Sequence, residues 1–290
     1  MNILVTGSAG FLGQNLIPIL KNNGHHITGI DLNPDYLSDE FTQQDIRKGI
    51  LLKNKSIDIC IHLASYVGGF LNNQKKLGQE QYEIDLLMQT YKFLSKSGCQ
   101  RIIYTSSINV FEQSQNYSHG PLAIANQHTH YARAKKMGEE FVQTHFDSFI
   151  ILRPTNLFGK TQTTNKIGIV GSSHVIPELL KKIEECDVLT VLGDGSQVRN
   201  FVHVSDVSHF IQKILGTPER AWYNLRSEIH LTIKELAQQL IKLINIEKKI
   251  VFQPEYLSYE PVSIQLFDMS EPVSLGWVAK ITSIQQGLNP

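Results

Sequence analysis

The stretch TGSAGFLG at positions 6–13 constrains the fold of this chain more than any other. It follows a strand-like run at Asn2–Thr6 and precedes a segment of helical periodicity at 14–23. Its three glycines permit a tight turn in which the backbone N–H groups at the helix start approach an anion. The order of strand, glycine turn and helix predicts a dinucleotide pyrophosphate site. The predicted cofactor-binding residues of this turn are Gly7, Gly10, Phe11, Leu12 and Gly13.

A carboxylate follows at the position expected for the cofactor's ribose. Asp31 lies 18 residues after Gly13, at the end of a second predicted strand at 26–30. Its carboxylate would accept hydrogen bonds from the adenosine ribose hydroxyls and would repel a 2′-phosphate, so NAD is favoured over NADP. Asp45, followed by Ile46, falls where a third strand would end. Asp45 either reaches the adenine amino group or serves only as a turn residue.

Strand-like and helical segments then alternate, which predicts a Rossmann fold, a doubly wound α/β fold with a parallel sheet. The HLAS stretch at 62–65 ends the fourth strand, where small residues admit the cofactor backbone, and Leu63 and Ala64 are predicted to contact the cofactor. Residues 1–155 are predicted to form the NAD-binding domain, completed by parts of 188–225. Residues 156–290 are predicted to form mainly a smaller substrate-binding lobe. The remaining predicted strands lie at 57–64, 101–106 and 149–153, and the helices at 80–97, 131–145, 176–185 and 232–244.

Composition and charge favour a small-molecule partner. The chain has 290 residues, with 27 basic and 27 acidic side chains and no Lys/Arg run, which argues against nucleic-acid binding. Cys60, Cys99 and Cys186 lack metal-ligand spacing, so no metal is predicted and a reducing compartment fits. We find no signal-peptide pattern and no apolar run approaching the roughly 18 residues of a membrane span. Cytoplasmic location and no membrane association are expected.

The pentapeptide YARAK at 131–135 indicates a proton-transfer pair. On a helix, Tyr131 and Lys135 share one face, with Cβ atoms about 5–6 Å apart. An ammonium group there would stabilise a phenolate and lower the tyrosine pKa from about 10. Tyr131 could then remove a hydroxyl proton as hydride leaves the same carbon. The alternative is an exposed Tyr and Lys on an amphipathic helix, which the dinucleotide turn upstream disfavours.

Several stretches together resemble the nucleotide-sugar epimerase/dehydratase branch of the extended short-chain dehydrogenase/reductase superfamily, over essentially the full length. They are TGSAGFLG, HLAS, YTSSINVF, YARAK, RPTNLFG, GDGSQVRNFVHVSD and LGW. Two more, VGGFLNN at 67–73 and SHVIPELL at 173–180, look like the GDP-L-fucose synthase subgroup. The resemblance implies that Tyr131 is the base, that Lys135 also holds the nicotinamide ribose and that Ser107 binds the reacting oxygen.

The residues after Ser107 depart from two subgroups. Dehydratases of the family carry Asp and Glu at the positions of Ile108 and Asn109, so dehydration is disfavoured here. In GDP-L-fucose synthases the position of Asn109 is a Cys that epimerises carbons beside a ketone, and its His partner matches His174. Asn109 is therefore expected to bind the sugar. His174 either transfers protons, since histidine titrates near neutral pH, or binds sugar hydroxyls.

The resemblance also implies a nucleotide-diphosphate sugar as substrate. Arg199 matches the family's Arg that grips the diphosphate, a task that suits a guanidinium fork. A second Arg of the family is missing from SIQLFD at 263–268, which leaves the nucleotide open. Asn156 is a further candidate contact to the sugar beside the nicotinamide.

Two reactions remain once dehydration and epimerisation at the neighbouring carbons are disfavoured. The first is C4 epimerisation, in which a sugar hydroxyl is oxidised, the ketone rotates and hydride returns to the other face. The second is 4-keto-sugar reduction or 4-dehydrogenation related to GDP-L-fucose synthase. A dinucleotide-sensing regulator without chemistry is disfavoured because Ser107, Tyr131 and Lys135 are all present. The resemblance further implies a homodimer formed by the helices at 80–97 and 131–145, although their apolar spacing would equally serve packing on their own sheet.

Overall fold

The structure is a computed structural model that describes residues 1–34, 37–52, 56–67, 78–111, 129–160, 174–217, 220–256 and 268–288. Three predicted features extend beyond these residues. Most of the VGGFLNN stretch, Ser173 of the SHVIPELL stretch and residues 263–267 of the SIQLFD stretch lie outside the described residues.

The described residues form strands and helices that we number in chain order. The strands are Asn2–Thr6 (β1), His26–Asp31 (β2), Glu40–Gln43 (β3), Ile59–His62 (β4), Arg101–Thr105 (β5), Ser148–Pro154 (β6), Asn156–Phe158 (β7), Val188–Leu192 (β8), Val198–His203 (β9), Arg220–Leu225 (β10), Ile229–Thr232 (β11) and Lys249–Gln253 (β12). The α-helices are Phe11–Asn22 (α1), Gln79–Lys96 (α2), His130–His145 (α3), Val175–Glu185 (α4), Val204–Ile214 (α5), Ile233–Ile244 (α6), Ser270–Ser274 (α7) and Ile284–Leu288 (α8). Short 3₁₀ turns occupy Ile46–Lys48, Ile108–Phe111 and Pro254–Tyr256.

The central sheet is parallel and confirms the predicted Rossmann-type fold. Its strand order is β10-β6-β5-β4-β1-β2-β3, and every neighbouring pair is parallel. The chain winds outward from β1 in one direction and then resumes at β4 on the other side of β1. Such a switch point leaves a crevice at the carboxyl ends of the strands, where doubly wound folds bind their ligands.

Helices cover both faces of this sheet. Helices α1 and α5 pack their apolar residues on one face, and α2 and α3 pack theirs on the other. Leu86, Leu87 and Leu94 of α2 are buried in the chain's own core. The apolar spacing of α2 is thus used within this chain, while the homodimer stays a prediction.

The second half of the chain has an apolar core of its own. A three-stranded sheet of order β11-β9-β7 and the parallel pair β12-β8 pack with α4 and α6 around it. Helix α6 begins with a capping box, in which the Thr232 hydroxyl and the Glu235 carboxylate bind each other's backbone N–H groups. In the part of the chain that the structure describes, no helix is long and apolar enough to cross a membrane.

The first helix begins three residues earlier than the periodicity predicts, at Phe11 rather than at 14. Gly10 is the N-cap, with extended backbone at φ −73° and ψ 169°. The glycine turn therefore leads directly into the helix, which brings the first helical N–H groups to the carboxyl edge of the sheet.

Candidate active site

The glycine turn is built by close backbone contacts. Gly7 has a φ of 74°, and its N–H donates to the Ile30 carbonyl at 2.8 Å. A Cβ at Gly7 would lie 2.7 Å from the Ala64 nitrogen and 2.9 Å from the Leu63 carbonyl carbon. Glycine is thus required where the turn meets the HLAS stretch, and the two predicted cofactor-binding segments lie against each other.

The start of α1 suits an anion. A Cβ at Gly13 would lie 2.5 Å from the Ser8 carbonyl oxygen, so this glycine lets the helix pack onto the turn. Around Gly10 the nearest atom to an added Cβ is the Gly7 carbonyl oxygen, at 3.1 Å. The first turn of α1 carries no acidic residue, so the partial positive charge of the helix N-terminus is available for a pyrophosphate.

Asp31 ends β2 at the edge of this turn. Its Oδ2 accepts from the Ala9 N–H at 3.0 Å and its Oδ1 from the Asn33 N–H at 2.9 Å. These bonds fix the carboxylate, and each oxygen has a second lone pair for a ribose hydroxyl. The glycine turn and Asp31 therefore fit the NAD that the sequence predicts.

Asp45 has a partner that the sequence did not reveal. Its carboxylate caps the 3₁₀ turn that contains Ile46 and receives both Nε and Nη2 of Arg47, at 3.0 and 2.6 Å. The Arg47 guanidinium, followed by its backbone N–H, lowers the pKa of Asp45 against a smaller opposing effect of burial. Arg47 also lies over the Tyr82 ring, 4.4 Å from its centre. An adenine amino group would meet a carboxylate that an arginine already holds.

The structure brings Ser107, Tyr131 and Lys135 together. Ser107 follows β5, and Tyr131 and Lys135 lie in the first turns of α3, which Thr129 caps through a hydrogen bond from the Ala132 N–H. The Ser107 hydroxyl forms a hydrogen bond with Tyr131 that lowers the pKa of the phenol. The three side chains that the family resemblance names thus meet at the carboxyl edge of the sheet.

The tyrosine pKa differs from our expectation. Burial raises the pKa of Tyr131 above its usual value, and Glu83 raises it further. Lys135 opposes this, as the sequence predicts, and so does Ser107, but the two do not outweigh burial. The expected lowering of the Tyr131 pKa is therefore wrong for the protein alone. The physical reason is the loss of water around a buried phenol.

Lys135 is held by a residue that the sequence analysis missed. Its Nζ donates to Glu83 Oε1 at 2.8 Å and to the Thr105 carbonyl at 3.0 Å. Glu83 lies in α2 on the same buried face as Leu86, Leu87 and Leu94. The one available signal was therefore a carboxylate inside an apolar helical stripe, which indicates a buried partner of opposite charge.

A second buried ion pair lies beside Ser106, the residue before Ser107. Arg153 donates to Glu139 through Nε at 2.8 Å and Nη2 at 2.6 Å, and the side chains of both residues are fully buried. The Ser106 hydroxyl donates to the same carboxylate at 2.6 Å. This cluster ties the end of β5 and strand β6 to α3, and so fixes the backbone that carries Ser107.

The candidate substrate residues are divided between two places. Asn109 is half-buried in the 3₁₀ turn after Ser107, and its N–H donates to the Ser107 hydroxyl at 3.3 Å. The other three lie on elements that pack around the apolar core of α4 and α6. Asn156 of β7 donates to the Asn200 carbonyl at 2.9 Å, Arg199 lies on β9, and His174 is the N-cap residue of α4.

Metal chemistry has no visible site in the described ranges. Over residues 1–288, apart from the gaps given above, no group of three or more His, Cys, Asp or Glu side chains could hold a metal ion.

Comparisons with known proteins identify the family of the chain. Residues 3–225 match the model of the NAD dependent epimerase/dehydratase family. The chain is 27% identical to a GDP-L-fucose synthase of Sinorhizobium fredii, covering 99% of this chain and 92% of that protein. It is 25% identical to a dTDP-4-dehydro-6-deoxy-D-allose reductase of Streptomyces bikiniensis, with 87% and 84% covered. A crystal structure of UDP-glucose 4-epimerase from Bifidobacterium longum in complex with NAD⁺ and UDP superposes with a TM-score of 0.83, at 19% identity and with 99% and 96% covered.

Proposed function

The chain belongs to the NAD-dependent epimerase/dehydratase family, and on that premise we propose that it is a nucleotide-sugar 4-epimerase. One observation carries the proposal. The Ser107–Tyr131–Lys135 cluster is complete, whereas Ile108 and Asn109, the next two residues, offer no group able to transfer protons at neighbouring carbons. A site of this kind can oxidise and reduce one hydroxyl-bearing carbon, and epimerisation at C4 requires nothing more.

The residues have separate tasks in this reaction. NAD held at the glycine turn would accept the hydride of C4 and return it. Tyr131, as the phenolate that Lys135 stabilises, takes the proton of the C4 hydroxyl, and Ser107 orients that oxygen. After the 4-keto sugar has turned its other face, Tyr131 returns the proton to the oxygen. Asn109 lies beside Ser107 and is placed to hold a sugar hydroxyl.

The cofactor preference follows from Asp31. Its carboxylate lies at the edge of the glycine turn, where an adenosine ribose would bind, and would repel the 2′-phosphate of NADP, so we propose NAD. Arg199, Asn156 and His174 of the smaller lobe are the proposed contacts to the nucleotide diphosphate and the sugar.

A second candidate is 4-keto-sugar reduction or 4-dehydrogenation. The specific observation in its favour is the similarity to a GDP-L-fucose synthase and to a keto-sugar reductase. Such an enzyme consumes or produces a reduced dinucleotide in stoichiometric amounts, whereas an epimerase borrows and returns the hydride.

The test combines cofactor content with turnover. The purified protein is heat-denatured, and the released dinucleotide is quantified by chromatography and mass. It is also incubated with UDP-, GDP- and dTDP-hexoses in D₂O and followed by NMR. An epimerase retains near-stoichiometric NAD and forms the C4 epimer without deuterium at carbon. The reductase is indicated instead if no cofactor is retained and only 4-keto sugars react, with NADPH consumed. Tyr131→Phe is the inactive control in either case.

A further inference from the structure

We propose that Glu83 is a positioning residue that holds the Lys135 ammonium and sets the charge next to Tyr131. The inference rests on the proposed role of Tyr131 and Lys135. It adds a residue on a different helix from the family's Tyr–Lys pair, 52 positions before Lys135.

Glu83 and Lys135 are a buried and directly bonded pair. Their side chains are 2% and 4% exposed, and Glu83 Oε1 lies 2.8 Å from Lys135 Nζ. An ammonium group has three protons, and those to Glu83 and to the Thr105 carbonyl account for two. The remaining proton is the one that can serve Tyr131 or the cofactor ribose. By binding one proton of the ammonium group, Glu83 thus orients the remaining proton of Lys135.

Glu83 is itself fixed from two further sides. The Tyr104 hydroxyl donates to Oε1 and the Ser65 hydroxyl to Oε2, each at 2.7 Å. Tyr104 reaches this position only by passing against α3 at Gly138, where an added Cβ would lie 2.2 Å from the phenol oxygen. The carboxylate therefore has donors from α3, from β5 and from the chain after β4.

These donors keep the carboxylate ionised despite its burial. Burial raises the pKa of Glu83. Lys135, Tyr104 and Ser65 lower it by more than burial raises it, so the pKa lies below the usual value. The other titratable group facing the pair is His62 of β4, and burial lowers its pKa to about 4, so it is neutral near pH 7. Tyr131 therefore lies beside a neutral Lys135–Glu83 pair instead of an isolated cation.

The consequence is measurable without any sugar substrate. Once the carboxylate is gone, the Lys135–Tyr131 pair has lost a negative neighbour and holds its protons less tightly, whichever residue ionises first. Replacing Glu83 by Gln should move the first deprotonation of the pair to lower pH by about one pH unit. Glu83→Asp, which keeps the charge, should stay near the wild-type value.

The experiment is an NMR titration of the NAD-loaded protein labelled at tyrosine Cζ and lysine Cε. Tyr131→Phe and Lys135→Met assign the two signals. The matched control is Glu80→Gln, since Glu80 lies in the same helix but binds His130 at 2.9 Å and Arg133 at 2.8 Å. A lower first midpoint in Glu83→Gln alone supports the proposal. An unchanged or higher midpoint, or an equal shift in Glu80→Gln, overturns it.

If Glu83→Gln does not fold, the milder variant Tyr104→Phe tests the same proposal. Tyr104→Phe removes one hydrogen bond that disperses the Glu83 charge, so the first deprotonation should move to higher pH, opposite to the Gln variant. No shift in this direction would count against the proposal. Because no turnover is measured, a failed epimerase assay leaves this result interpretable, and the reverse also holds.

Discussion

Helix α3 takes part in two buried ion pairs that differ in their cation. Its Glu139 binds Arg153, and its Lys135 binds Glu83 of α2, with almost no exposed side-chain surface in either pair. A guanidinium keeps its charge and makes a fixed, bidentate contact, whereas an ammonium can titrate and can redirect its protons. The comparison teaches that burial alone does not separate a structural ion pair from a functional one. The type of cation and the groups around it separate the two kinds of ion pair.

The largest expected effect is the loss of catalysis when Lys135 of the Glu83–Lys135 pair is replaced. Lys135→Met should reduce turnover about 10²–10⁴-fold, because Tyr131 loses the charge that stabilises its ionised form. Its stability cost should be only about 1–3 kcal/mol, since Glu83 keeps its bonds from Tyr104 and Ser65 and can be protonated. Steady-state kinetics and urea unfolding give the two numbers. Lys136→Met, which loses the pair with Glu140 on the same helix, should keep activity.

The same substitution at the other pair should act on stability. Arg153→Met leaves Glu139 buried with only the Ser106 hydroxyl from this cluster, and breaking such a pair costs about 3–5 kcal/mol. Urea unfolding measures the loss. Lys181→Met is the control, since its partly exposed pair with Glu185 contributes at most about 1 kcal/mol. If Arg153→Met proved as stable as this control, the structural assignment of the Glu139 pair would be wrong.

The sequence predicts one kind of feature well and another poorly. The glycine turn, Asp31 and the Tyr131–Lys135 spacing depend on residues close in the chain or on a strand-turn-helix order, and the structure forms these elements. The Glu83–Lys135 and Asp45–Arg47 contacts depend on side-chain direction. For Glu83, the partner lies on another helix, and nothing within α2 identifies it. Periodicity also placed the start of α1 too late, since a glycine N-cap leaves no apolar signal.

A smaller expected effect is the pH dependence of stability that arises beside the Glu83–Lys135 pair. His62 faces Glu83 and Lys135, and burial lowers its pKa to about 4. Above its ordinary pKa, near 6.5, the imidazole is neutral in both folded and unfolded chains, so it adds no pH dependence. Between about pH 6.5 and 4 only the unfolded chain binds the proton, so stability should fall by about 1.4 kcal/mol per pH unit. Below this range the loss levels off.

Urea unfolding at several pH values checks the His62 prediction. His62→Gln should remove this part of the slope, while His209→Gln, on an exposed position of α5, should keep it. An unchanged slope in His62→Gln would assign the acid sensitivity to other groups, Glu83 included. The lowered Glu83 pKa gives its own loss of stability as the pH falls through that pKa.

The smallest expected effect tests how tightly Tyr104, which binds Glu83, packs against Gly138. In a helix interior Gly→Ala usually stabilises by about 1 kcal/mol, yet at Gly138 the added Cβ would lie 2.2 Å from the Tyr104 oxygen. Gly138→Ala should therefore destabilise by about 1–3 kcal/mol, because Tyr104 must leave Glu83. Gly216→Ala, where a Cβ meets nothing within 4 Å, should cost nothing measurable. In a Tyr104→Phe background the Gly138 penalty should shrink, since the closest atom is gone. An undiminished penalty there would mean that Gly138 serves the helix packing itself and not the placement of Tyr104 on Glu83.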